Sequence, residues 1–341
     1  MPAAVPNPPA PQDENDSTRS VSPGEPQVVA EISPQTAHRW ECTRVMTGHT
    51  SWVRSVAVSG DGNFLVSGSG DKTLRVWNLA TGHLLHCLTE HQAWIRDVAI
   101  SPDSRLLASV CNDNSVRLWN LHNGQCLGRL AGHSSWVRAV VFSADGQYLF
   151  SGGQDNHICA WQVKTQTLLH RFNGHSHWVR SLAVSADGTT LVSGSHDHTI
   201  RLYRLMGKGT NWVLKGHQGE VLSVAVSPNN WLLASASADC TVRFWKLNSG
   251  RAITSFKAHS AAVNRVAFSP LGTLLATASN DGTIRLWRID QGKLVAILRG
   301  HDGWVWSVAF VPTADGVPAL VSAGWDGTIR LWQYRPRSGQ N

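Results

Sequence analysis

Residues 48–79 read GHTSWVRSVAVSGDGNFLVSGSGDKTLRVWNL. Three segments in this stretch, at 52–59, 63–69 and 72–79, are short and rich in Val, Leu and aromatic residues, and read as strands. The SGDG at 59–62 and the GDKT at 70–73 are turn sequences that separate them. A fourth strand is expected in HLLHCLTEH, residues 83–91, just before the next His.

The same unit recurs along most of the chain. His49, His91, His133, His175, His217, His259 and His301 are spaced by 42 residues at every step. Asp71, Asp113, Asp155, Asp197, Asp239 and Asp281 each follow their His by 22 residues, and Asp326 follows by 25. Six residues after each Asp stands an aromatic: Trp77, Trp119, Trp161, Tyr203, Trp245, Trp287 and Trp332. Four before it stands a hydroxyl: Ser67, Ser109, Ser151, Ser193, Ser235, Thr277 and Ser322. Only the seventh unit carries an insertion, at 311–318. Four short strands per 42-residue unit is the spacing of a propeller blade.

The unit resembles a WD40 repeat, and all seven copies match that pattern. The resemblance implies an all-β chain, a seven-bladed β-propeller of four-stranded antiparallel blades. Two departures stand out. The closing Trp-Asp dipeptide of the family is replaced by Trp-Asn, Trp-Gln, Tyr-Arg, Trp-Lys or Trp-Arg, and Glu90 and Ala258 replace the Gly before His. The last unit ends at Trp332-Gln-Tyr-Arg-Pro with no fourth strand, while the first has a surplus strand at 39–46. That N-terminal strand is expected to pair with the last blade and so remove an open sheet edge.

Composition agrees with this class. The 341 residues include 30 Gly and 16 Trp but 3 Met, which suits short strands and tight turns better than helices. Apolar runs are too short for a membrane-spanning helix, and the N-terminus has no basic or apolar signal-peptide region. The six cysteines form no CxxC pair, so a reduced, cytoplasmic protein is expected. Residues 1–36 hold eight prolines and a charge of −4, and read as a disordered, Pro-rich acidic tail. The propeller is expected over 37–336, with a short C-terminal tail at 337–341. Since the whole chain carries +7, the body beyond the acidic tail is more basic still and suits acidic proteins or nucleic acid.

Seven copies of His, Ser and Asp do not make a hydrolase. A triad needs one strained nucleophile beside one oxyanion hole and has no reason to recur at a fixed period. A structural network does, because every blade must satisfy its own buried polar groups. The resemblance supplies the wiring: His to Ser and Asp, and Ser to the indole N–H of Trp. Tyr203 has no indole, so a modified network is expected in the fourth blade. No enzymatic activity, cofactor or metal site is expected. His196-Asp197-His198 reads as a solvated turn without a third converging ligand. Met206–Thr210 lacks the spacing of a phosphate loop and reads as a hairpin.

Positions around the ring can be compared directly. Three residues after His stand Trp52, Trp94, Trp136, Trp178, Glu220, Ala262 and Trp304, and five after it Arg54, Arg96, Arg138, Arg180, Leu222, Asn264 and Trp306. Just before Asp come Gly70, Asn112, Gln154, His196, Ala238, Asn280 and Trp325. The resemblance places these positions around the channel entrance, on the face that WD40 proteins use for partners. Trp and Arg are the residues most enriched in binding hot spots. Two readings follow: a protein or peptide site, or repeat packing with Trp over the neighbouring turn and Arg stacked on it. A Trp cage for a methylated amine is a narrower version of the first. Strand three also carries Arg75, Arg117, Arg201, Arg243, Arg285 and Arg330, a series broken by Cys159 and expected to pack against neighbouring blades. The function expected is a non-enzymatic scaffold for proteins or peptides, monomeric because a closed ring has no free edge. The alternative is nucleic-acid binding through the basic body.

Overall fold

The computed structural model describes residues 38–205, 211–313 and 316–336. The expectations for 1–36, 206–210 and 337–341 lie outside those residues. The described residues form 28 strands, β1–β28 in chain order, arranged as seven four-stranded antiparallel sheets. Blade one is β2 (Val53–Val58), β3 (Phe64–Ser69), β4 (Leu74–Asn78) and β5 (Leu84–Leu88), in that order across the sheet. Blades two to six repeat it with β6–β9 (from Ile95 to Leu130), β10–β13 (Val137 to Phe172), β14–β17 (Val179 to Leu214), β18–β21 (Val221 to Lys257) and β22–β25 (Val263 to Leu298). Blade seven has β26 (Val305–Val311), β27 (Ala319–Gly324) and β28 (Ile329–Pro336), and takes β1 (His38–Met46) as its outer strand. Trp40 stands opposite Tyr334 and Cys42 opposite Trp332 in that antiparallel pairing. The ring is therefore closed by its two ends, and the last blade has no unpaired outer edge at β28.

The second and third strands of each blade are buried on both faces, so they carry consecutive apolar residues rather than strict alternation, whereas the outer strands are largely exposed. Leu65 packs with Val53 and Trp77 against Val321, Ile329 and Leu331 of blade seven. Its neighbour Val66 points the other way, with Val76 and Leu74, against Ile95, Leu107 and Trp119 of blade two. Each such side chain removed from water contributes about 1.5–3 kcal/mol. Turns are fixed locally: in the turn between β2 and β3, Phe64 N–H donates to Ser59 Oγ (2.9 Å) and Asn63 N–H to Asp61 Oδ1 (3.0 Å).

One irregularity repeats in every blade. The innermost strand skips one residue in its pairing with the second, a β-bulge just after its start. The skipped residues are Arg54, Arg96, Arg138, Arg180, Leu222, Asn264 and Trp306. A bulge re-aims the side chain of its extra residue, and here it does so at the same point of all seven innermost strands.

Candidate functional site: the blade networks and the channel mouth

The repeated His, hydroxyl, Asp and aromatic meet inside each blade. In blade one, the indole N–H of Trp77 donates to Ser67 Oγ (3.0 Å), which is 2.8 Å from His49 Nε2, and His49 Nδ1 is 2.7 Å from Asp71 Oδ2. The hydroxyl accepts from the indole, so it donates to Nε2; the proton on Nδ1 then points at the carboxylate. Asp71 also accepts from Thr50 N–H and from Thr73. His91–Ser109–Trp119, His133–Ser151–Trp161, His217–Ser235–Trp245, His259–Thr277–Trp287 and His301–Ser322–Trp332 repeat the chain at 2.7–3.1 Å. Asp113, Asp155, Asp239, Asp281 and Asp326 receive the corresponding Nδ1 contacts.

Burial on its own raises the Asp71 carboxyl, but the hydrogen bonds from His49 and Thr73 outweigh it and hold the group below the usual carboxylate range. The same balance lowers Asp113, Asp155, Asp197, Asp239, Asp281 and Asp326. Burial lowers His91, His217 and His259 against the pull of their carboxylates. Neutral imidazole beside ionised carboxylate is the state the hydrogen bonds describe.

Two blades depart from the pattern. In blade four, His175 reaches Ser193 (2.7 Å) and Asp197 (2.7 Å), but the buried Tyr203 hydroxyl, although close enough to Ser193 to feel it, makes no well-formed hydrogen bond among the described residues. In blade two, Cys111 stands where blade one has Ser69, and His91 Nδ1 lies 3.5 Å from Asp113. His91, Cys111 and Asp113 are the one group of three metal-type ligands among the described residues. His91 already engages both ring nitrogens, and burial pushes the Cys111 thiol up to about 12. The group is blade two's copy of the network.

The second set gathers at the channel mouth. Trp304, Trp306 and Trp325 touch one another with centroids 5.5–6.1 Å apart. Trp306 meets Trp52 edge-on (5.2 Å), and Trp52 meets Trp94 (5.6 Å). The Arg54 guanidinium lies 4.9 Å from the Trp306 centroid. Arg96 lies within 6 Å of Trp52, Trp94 and Trp136, and Arg138 within 6 Å of Trp136 and Trp178. Trp178 continues to His196 (4.9 Å). The arc therefore runs unbroken from blade seven through blades one to four. Trp52 is seated over Gly70, where an added Cβ would lie 2.4 Å from its ring. Trp325 is 47% exposed, and most of the other arc side chains are half-buried.

The mouth is strongly basic. Burial and the neighbouring guanidiniums push Arg54, Arg96 and Arg138 down, and burial lowers Arg180. Burial and Arg180 push His196 down to about 3, so it adds no charge.

Sequence reasoning missed the residue next to the bulge. Ser55, Asp97, Ser181, Ser223 and Ser307 each accept a backbone N–H from the next blade's innermost strand, at Val98, Val140, Val224, Val266 and Val56. Ala139 and Arg265 occupy the same position in blades three and six. Arg265 instead reaches Asp97 of blade two (3.6 Å), and Asn264 bridges to blade seven through Val305 O (2.9 Å). The alternation of this position as Ser, Asp, Ala, Ser, Ser, Arg, Ser was the available signal.

The third-strand arginines sit elsewhere than expected. They lie on the segment that leads into their own blade rather than on a neighbouring sheet: Arg285 Nη1 donates to Ala258 O (3.1 Å), and Arg75 lies against Gly48. In blade three, where Cys159 breaks the series, Arg171 on the paired outer strand donates to Gly132 O (2.6 Å) and supplies the missing guanidinium.

A family model described as WD domain, G-beta repeat matches residues 40–78, 82–120, 124–162, 166–204, 209–246, 250–288 and 292–333. Each matched unit begins in the outer strand of one blade and ends in the third strand of the next. Curated relatives match over much shorter stretches. The chain is 42% identical over 59 residues to pre-mRNA-splicing factor prp46 of Emericella nidulans, covering 17% of this chain and 13% of that protein. It is 53% identical over 45 residues to pre-mRNA-splicing factor PRP46 of Yarrowia lipolytica, 13% of this chain and 10% of the other. It is 43% identical over 51 residues to pleiotropic regulator 1 of Homo sapiens, 15% and 10% of the two chains.

Proposed function

The chain belongs to the WD40-repeat family, and on that premise we propose that it is a non-enzymatic, monomeric scaffold that engages a protein or peptide at the channel mouth. The observation that carries this reading is the continuous arc of Trp and Arg across five blades, partly open to solvent, with its arginines and Trp306 on bulges of the innermost strands. Trp52, Arg54, Trp94, Arg96, Trp136, Arg138, Trp178, Arg180, Trp304, Trp306 and Trp325 are its contact residues. Large rigid side chains lose little entropy on binding, which is why such residues dominate interface energetics.

The blade networks argue against a hydrolase. In six of them the Ser or Thr hydroxyl lies between an indole and an imidazole, and the imidazole is tied to a carboxylate in turn. A nucleophile so enclosed has no room for a substrate carbonyl beside it. The relatives are named for pre-mRNA splicing, and a place in such an assembly is compatible with a scaffold; their matches cover too little of either chain to carry the role over. The cytoplasmic location expected from cysteine usage finds no support in them.

The test is affinity capture from native lysate by the intact protein and by a variant with Trp304→Ala, Trp306→Ala and Trp325→Ala. A discrete protein held only by the intact ring, and insensitive to nuclease, is the expected result. Equal capture by both forms overturns the assignment of the face. Capture dominated by nucleic acid and lost in high salt would instead make the basic body the functional surface.

A further inference from the structure

Among the described residues, the charge at the mouth is only partly balanced. Arg54, Arg96, Arg138 and Arg180 come from consecutive blades on equivalent bulges, and their charges act on one another. The carboxylates that act on them are Asp97 and Glu220. Asp97 is already taken up by Ser55 (2.7 Å), Val140 N–H and Arg265. Arg96 Nε donates to Asn112 (2.7 Å), but the buried Nε atoms of Arg138 and Arg180 meet no acceptor. The third-strand arginines also leave Nε without an acceptor, but some of their outer nitrogens end near carboxylates: Arg117 near Glu90 (3.6 Å) and Arg330 near Asp326 (3.8 Å). Arg138 stacks on Trp136 and Trp178 and no described carboxylate acts on it, whereas Arg180 feels Asp97 and Glu220 without a described ion pair to either.

Unpaired like charges held together in a half-buried ring oppose folding, and a bound anion reverses the sign of that contribution. We propose that the channel mouth is a binding site for a compact, multiply charged oxyanion, phosphate or clustered carboxylate, borne on the side chains of a protein partner and seated among Arg54, Arg96, Arg138 and Arg180. Guanidinium groups suit such oxygens because their N–H fork matches them in pairs. The ring geometry selects against a nucleic-acid strand. Four guanidiniums around one opening concentrate charge at a point, whereas a polynucleotide backbone needs a groove of charge along its length. The surrounding indoles would hold the stem that carries the anion. The inference rests on the mouth being the binding face.

Calorimetric titration of the full chain at low salt, with inorganic pyrophosphate as first probe, tests it. The second and third probes are one short peptide with adjacent phosphoserines and the same peptide with glutamates in their place. Pyrophosphate and at least one peptide should bind. A double variant, Arg138→Gln with Arg180→Gln, should bind about tenfold or more weakly, while Arg251→Gln, on an exposed hairpin, should bind within about twofold of the parent. The stronger of the two peptides identifies the oxyanion. Thermal melting of the double variant shows whether it folds; its midpoint should not fall, because a repulsion has been removed. Absence of binding by every probe overturns the site, as does a lowered midpoint with undiminished pyrophosphate affinity, which assigns the guanidiniums to packing. A single-stranded oligonucleotide that outcompetes the phosphopeptide overturns the protein-borne source. Trp-dependent capture of a partner without any anion binding leaves the scaffold reading standing and removes this one.

Discussion

In the blade interiors and at the channel mouth, one 42-residue unit sets polar side chains at fixed positions, yet the two regions end differently. In the interior of six blades the indole, hydroxyl, imidazole and carboxylate are joined within one blade, and the chain of bonds ends at a largely buried Asp, as at Asp71 in blade one. At the mouth the repeated group is a guanidinium that stacks on indoles and faces others of its own sign. Repetition is therefore no guide to role by itself. On the proposed reading, what separates structural from functional copies is whether the repeated charge is balanced among the described residues. Blades five and six sharpen the point: they keep the interior networks intact but carry Glu220, Leu222, Ala262 and Asn264 at the mouth. The His, hydroxyl and Asp of the first set recur in every blade, whereas the second is missing from two.

The largest effect expected comes from breaking closure itself. Deleting residues 37–47 removes β1, exposes the edge of β28 and takes Met46 and Trp40 from two core clusters. Cooperative melting should be lost, with aggregation through the open edge. A deletion product that stays monomeric and melts like the parent would show that neither interior networks nor packing depend on the ring being shut.

Acid should act next, and on the interior networks. The seven aspartates are lowered in the folded state, so their stabilisation is present above the unfolded carboxyl pKa of about 4 and is lost as pH falls toward their folded values. His91, His217 and His259 are lowered too; their contribution is complete above about pH 6.5 and declines below it. Both run in one direction. The melting midpoint should drift down below about pH 6.5 and drop steeply below about pH 4, with each Asp accounting for on the order of 1–2 kcal/mol. Calorimetric scans between pH 8 and pH 3 check this. A midpoint constant to pH 3 would contradict the ionised-carboxylate, neutral-imidazole assignment.

The seven-bladed ring, its strand boundaries and its closure could be read from the chain because the period is strict and each blade buries both faces of its second and third strands, so each core position is constrained seven times. The mouth was legible as a list of residues but not as a surface. A β-bulge leaves no mark in composition, and it is the bulge that turns Arg54, Arg96, Arg138 and Arg180 onto the channel. Features that break the repeat were harder still. Arg171 replacing the guanidinium lost at Cys159 depends on cross-strand register, and the Asp97–Arg265 pair joins two blades far apart in sequence. Such pairs arise from closing the ring, which brings together positions that local pattern treats as unrelated.

The smallest effect expected is the most discriminating, because it converts an unsatisfied interior group into a satisfied one. Tyr203 is buried at 5% exposure, and its hydroxyl makes no well-formed hydrogen bond among the described residues, while Ser193 keeps its bond to His175. Tyr203→Trp should restore the indole N–H donor that the other blades use at 2.8–3.1 Å. Room is expected, since Phe172 stands 5.1 Å from Tyr203 much as Phe256 stands 4.7 Å from Trp287 in blade six. The gain should be about 1 kcal/mol. Ser193→Ala then supplies the second arm of a double-mutant cycle. In the parent it removes one hydrogen bond; in the Tyr203→Trp background it removes two and strands an indole, so its cost should rise by about 1 kcal/mol. If Ser193→Ala costs the same in both backgrounds, the indole link contributes nothing, and satisfaction within the blade is not what distinguishes the interior from the mouth.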